Sequence, residues 1–121
     1  MGESLGSYSN TCALVVGINK YEKPIKCLKN AVGDADAVGD ELDRVGVKAV
    51  TRVSDCDYKQ LTTAINKFLG TVRKGGVAIV YLAAHAAMYR NQHVFMTTTS
   101  TKENISHTSL SVDLLKARSI P

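Results

Sequence analysis

The chain has 121 residues, the length of one domain rather than two. Hydrophobic residues make up 45% and charged residues 21%, a balance that fits a soluble globular core and excludes a disordered or low-complexity polymer. The net charge of +4 would suit an anionic partner, but the one local basic cluster, Lys20, Lys23, Lys26 and Lys29, has only Tyr21 as an aromatic neighbour, so no nucleic-acid partner is expected.

Residues 1–10 read as a polar tail with no signal-peptide pattern, and Gly6 stands where a myristoylation site needs Ser or Thr. A single domain is expected over 11–121. It opens with Cys12-Ala13-Leu14-Val15-Val16-Gly17-Ile18, a continuous apolar run that suits a strand buried on both faces of a parallel sheet. A loop follows over 19–29. From Asn30 the period changes: Ala31, Ala35, Val38, Leu42 and Val45 share one helical face, and Gly46 is placed to stop the helix. Gly33 and Gly39 each weaken that helix by about 1 kcal/mol relative to Ala. Residues 47–53 read as a second strand. Asp57 with Gln60 forms a capping-box pattern at the start of a second helix, whose inner stripe is Leu61, Ile65, Phe68, Leu69 and Val72. Residues 77–82 are a third, strongly apolar strand, 93–98 a short fourth, and 109–119 a final helix with Leu110 and Leu114 facing inward. The order β-α-β-α-β predicts an α/β sandwich with a mainly parallel sheet. The longest apolar run, 77–88, falls short of the roughly 20 residues a bilayer span needs, so no membrane partner is expected.

Chemistry is sought at the carboxyl ends of parallel strands. His85 falls just past the third strand, among Ala83, Ala84, Ala86 and Ala87, where an imidazole can act as acid or base near neutral pH. His93 and His107 read as surface residues. Cys12, Cys27 and Cys56 are odd in number and lack metal-ligand spacing, which argues against a zinc site or a disulfide scaffold and for a reducing compartment, the cytoplasm. Asp34, Asp36 and Asp40 lie at helical spacing that does not converge on a calcium ion, so no metal or other cofactor is expected.

Ala13-Leu14-Val15-Val16-Gly17-Ile18-Asn19-Lys20-Tyr21 resembles the opening strand of caspase-like cysteine peptidases, metacaspases in particular. Leu28-Lys29-Asn30-Ala31-Val32-Gly33-Asp34-Ala35 resembles their first-helix motif, with Gly33 in place of asparagine. Residues 77–87 resemble the strand that ends in serine-glycine-histidine-glycine, 93–98 the hairpin after it, and 109–119 the next helix. The resemblance implies a three-layer α/β sandwich of the caspase-like fold. It also implies peptide-bond hydrolysis by a cysteine–histidine dyad, with His85 as the histidine and the Ala86 N–H as an oxyanion donor.

Two departures bear on activity. The family's serine-glycine-histidine-glycine is Ala83-Ala84-His85-Ala86 here, and each added Cβ restricts φ. In caspases the cysteine stands about 50 residues after the histidine, whereas no cysteine follows His85 in these 121 residues. Cys12 opens the first strand, at the wrong end of the sheet, and Cys27 lies in a loop. Cys56 is at the right edge, but the resemblance implies a sheet with strand one between strands two and three, and two strand spacings of about 4.8 Å then put it near 10 Å from His85. The chain is thus expected to be a C-terminally incomplete peptidase domain, inactive alone. The alternative is a pseudoprotease acting as a binding module. Expected partners are a peptide or protein substrate, or a caspase-like partner chain. An unrelated anion-binding α/β domain lacks support, because Gly70, Gly75 and Gly76 end a helix where a phosphate loop would begin one.

Overall fold

In the computed structural model, which describes residues 8–112, the first apolar run becomes the middle of a sheet. Strand β1 (Thr11–Gly17) is buried along its whole length. It pairs in parallel with β2 (Ala49–Ser54) on one edge and β3 (Val77–Ala83) on the other, in the order β2-β1-β3. Helix α1 (Ala31–Arg44) carries the chain from β1 to β2, and helix α2 (Tyr58–Thr71) carries it back past β1 to β3. Right-handed crossovers running in opposite directions put the two helices on opposite faces. The side chains agree. Cys12, Leu14 and Val16 form one core with Leu61, Ile65 and Phe68 of α2, while Val15 and Gly17 share a small cleft with Val32 and Ala35 of α1. The result is an α/β/α sandwich with a parallel sheet.

Both helices end where their residues dictate. Asp57 accepts from the Gln60 N–H at 2.8 Å, and the Gln60 side chain accepts from the Asp57 N–H at 2.9 Å, a closed capping box. At the end of α1, Gly46 takes φ 94. Its N–H and that of Val47 reach back to the Asp43 and Leu42 carbonyls, the paired bonds of a Schellman stop.

The inner stripe of α1 differs from expectation. Ala31 and Ala35 are buried, but so is Gly39, while Val38, Leu42 and Val45 are only half-buried. The reason is Arg52 of β2, which lies over Gly39: a Cβ there would sit 2.6 Å from its Nη1. The guanidinium bonds Asp40 at 2.9 Å, Asp43 at 3.0 Å and the Asp36 carbonyl at 3.1 Å. The acidic series on α1 thus faces an arginine, and among the described residues no His, Cys, Asp and Glu group has the arrangement to hold a metal ion.

After β3 the chain forms a second, antiparallel sheet of β4 (Ala86–Tyr89), β5 (Gln92–Met96) and β6 (Ser109–Ser111), in the order β4-β5-β6. Arg90 and Asn91, both at positive φ, make the two-residue turn between β4 and β5. Val94, Met96 and Leu110 are buried. The connection to β6 includes a single-turn helix, α3 (Ile105–Thr108). It is tied by Thr97 and Ser100, whose hydroxyls both donate to the Thr108 carbonyl.

Two expectations differ from the structure. The strand expected at 93–98 is β5, which ends at Met96 and pairs with β4 in a hairpin of the kind the resemblance implies. Residues 109–111 are strand rather than the start of a helix, because pairing with β5 buries Leu110 better than a helical stripe would. The rest of that expected helix lies outside the described residues. Strand β3 is half-buried, and among the described residues β1 is its one neighbour in the sheet. No helix among the described residues is long and apolar enough to cross a membrane.

Candidate active site

Two loops meet at the carboxyl edge of the parallel sheet. One follows β1 and is pinned at its start by Asp55, whose carboxylate accepts from the N–H groups of Asn19 at 2.8 Å and Lys20 at 3.1 Å. Asn19 in turn accepts from the Val32 N–H and, through its carbonyl, from the Leu28 N–H. The stretch 19–29 is therefore closed at both ends onto β1, α1 and the turn after β2. The other loop is the short link between β3 and β4, and His85 lies on it.

The backbone of His85 is fully occupied. Its N–H donates to the Tyr21 hydroxyl at 2.9 Å, and its carbonyl accepts from the Met96 N–H at 2.8 Å. The ring is held as well. Nε2 lies 2.7 Å from the Lys26 carbonyl oxygen, and the Tyr21 ring stands 4.7 Å away, tilted by 59°. A carbonyl only accepts, so Nε2 carries the hydrogen. In the neutral imidazole this leaves Nδ1 with a free lone pair, able to take a proton and later return it.

Ala86 follows at the start of β4. It stands opposite Phe95, and the Met96 N–H to His85 carbonyl bond makes this a non-hydrogen-bonded pair of the ribbon. The Ala86 N–H thus points away from β5, toward the outer side of an exposed residue. Among the described residues, Asp55, Arg90 and Asn91 are the non-glycine positions with positive φ. Neither Ala84 nor Ala86 is among them, so these alanines do not occupy the left-handed region that favours glycine.

The cysteines stay apart from the ring. Cys12 is buried beside Ala78, toward the opposite end of the sheet. Cys56 follows β2, two strands from β3, and is only 2% exposed. Burial pushes its thiol up to about 11; its backbone hydrogen bond opposes the shift, and the charges of Asp57 and Asp55 add to it. Cys27 is exposed and directly follows Lys26, so it lies on the very loop that touches His85, and its Sγ donates to the Tyr21 carbonyl at 3.7 Å. No cysteine sulfur among the described residues is hydrogen-bonded to the imidazole. His93 and His107 are exposed, as expected.

Tyr21 and the Lys26 carbonyl are the parts of this arrangement that residue spacing did not reveal. A backbone carbonyl leaves no trace in a sequence. Tyr21 leaves a faint one, a large aromatic placed just after a buried strand.

No curated protein matches the chain. A family model described as the caspase domain matches residues 10–119, almost the whole sequence and both sheets described above. The chain belongs to the caspase-domain family of peptidases.

Proposed function

We propose that this chain carries the acid–base half of a cysteine-type endopeptidase site, with His85 as the histidine of the dyad and the Ala86 N–H as an oxyanion donor, and that the chain alone does not cleave peptides. The observation that carries this reading is the bond from His85 Nε2 to the Lys26 carbonyl. It fixes a tautomer suited to proton transfer at Nδ1, at a rim where a second group can approach.

In the proposed reaction a cysteine thiolate attacks the peptide carbonyl. The N–H of Ala86 stabilises the developing oxyanion, and imidazolium His85 protonates the departing amine. None of the three cysteines present is suited to the first step. Cys56 is buried and holds its proton tightly, Cys12 is buried near the far end of the sheet, and Cys27 bonds the Tyr21 carbonyl rather than the ring. The thiolate must therefore come from a segment or partner chain beyond these 121 residues. The substrate would be a peptide or protein, met in a reducing compartment such as the cytoplasm.

The second reading is a pseudoprotease, a metacaspase-like binding module. It is favoured by the alanines at 83, 84 and 86, which stand where the family has serine and glycine. Complementation separates the two. A fusion that supplies an apolar strand followed by a cysteine, taken from a caspase-like relative, is expected to gain turnover of arginyl, lysyl or aspartyl reporters, lost on His85→Ala. A folded fusion with no turnover would favour the binding module.

A further inference from the structure

We propose that Tyr21 is a positioning residue for His85: it holds the histidine backbone, walls one face of the ring, and carries the loop whose Lys26 carbonyl fixes the Nε2–H tautomer. Its catalytic meaning rests on the reading of His85 as the dyad histidine; the structural claim does not.

Tyr21 is only 8% exposed, and its hydroxyl is used twice, donating to the Ile18 carbonyl at 3.1 Å and accepting from the His85 N–H at 2.9 Å. This one atom therefore ties the end of β1 to the end of β3 across the rim. Burial raises the phenol above its ordinary value, so the group stays a donor toward Ile18 through the neutral range. The same residue fixes the far side of the ring through its own chain. The loop returns from Tyr21 to Lys26 and is tightened by the Ile25 N–H to Glu22 carbonyl bond and by Cys27 Sγ on the Tyr21 carbonyl. The backbone N–H, one ring face and the Nε2 partner of His85 are thus set from residue 21 and its loop, while Met96 holds the carbonyl. Phenylalanine at this position would keep the wall but leave the His85 N–H and the Ile18 carbonyl without their partner in a desolvated place.

The test reads the tautomer rather than activity, so its outcome is independent of whether the chain, or any fusion, cleaves peptides. Long-range proton–nitrogen spectra of the 121-residue protein, with the ring neutral, give the ratio of Nε2–H to Nδ1–H imidazole at His85. Wild type is expected to be dominated by Nε2–H. Tyr21→Phe frees the His85 backbone to shift the ring off the Lys26 carbonyl and should lower the ratio about fivefold, the effect of weakening that one ordinary hydrogen bond. Val72→Ala, a core truncation in the segment after α2, should lower stability and leave the ratio unchanged. An unchanged ratio in folded Tyr21→Phe overturns the proposal, as does an equal change in Val72→Ala. Should Tyr21→Phe fail to fold, hydrogen exchange in wild type decides. A His85 amide as protected as those of β1 supports the bridge, and one that exchanges freely overturns it.

Discussion

Cys56 shows how burial disarms a nucleophile. By strand order it is the cysteine carried to the same sheet edge as His85, yet it is enclosed, and its thiol is pushed up to about 11. That shift carries a pH consequence. Below the ordinary thiol value of 9.0 both the folded and the unfolded chain keep the proton. Between there and about 11 the unfolded chain has lost it while the folded chain holds it, so unfolding releases a proton and stability falls as pH rises through this window. Tyr21, also raised by burial, acts in the same direction at higher pH. Urea titrations from pH 8 to 11 are expected to show a falling midpoint. Cys56→Ala should flatten the lower part of that fall and leave the part due to Tyr21.

At the scale of elements, α2 is the most completely determined by its own residues. Its capping box closes as Asp57 and Gln60 require, and Leu61 and Ile65 are essentially inaccessible. Asp57→Ala should cost about 1 kcal/mol in denaturant unfolding, whereas Asp57→Asn, which keeps an acceptor, should cost little. The same local determinism explains what could be read beforehand. Strands β1 and β3 of the parallel sheet and both long helices are written in apolar runs and helical stripes. Buried β1 and the Gly46 stop follow from such signals, whereas the order β2-β1-β3 is implied only by the family resemblance. The second sheet does not. Its strands are short, and the turn between β4 and β5 uses Arg90 and Asn91 rather than the usual glycine. Leu110 shares a helical spacing with Leu114 that pairing with β5 overrides. Likewise His85 could be singled out from its place after an apolar strand, and Ala86 only from the family resemblance. The Lys26 carbonyl and the Tyr21 hydroxyl meet them only through long-range folding.

The whole molecule has two unlike sheet edges. Strand β2 is polar and largely exposed, with Arg52 tied across α1. Strand β3 is a continuous apolar run whose outer edge has no strand neighbour among the described residues, and Val77 at its start is 50% exposed. An apolar strand with one free edge is a template for pairing with another chain. Sedimentation of the purified chain should therefore show association that grows with concentration. Val77→Lys, a charge at the exposed start of that strand, should reduce it; a monodisperse monomer at all concentrations would argue that the edge is covered.

An oriented imidazole stands at the rim of the parallel sheet, and no cysteine sulfur among the described residues is hydrogen-bonded to it. The most direct measurement is turnover of arginyl, lysyl and aspartyl peptide reporters by the purified 121-residue chain, side by side with His85→Ala. The proposal predicts the same background rate for both. Turnover by the wild-type chain that disappears in His85→Ala would contradict it, and would mean that one of Cys12, Cys27 or Cys56 reaches the ring after all.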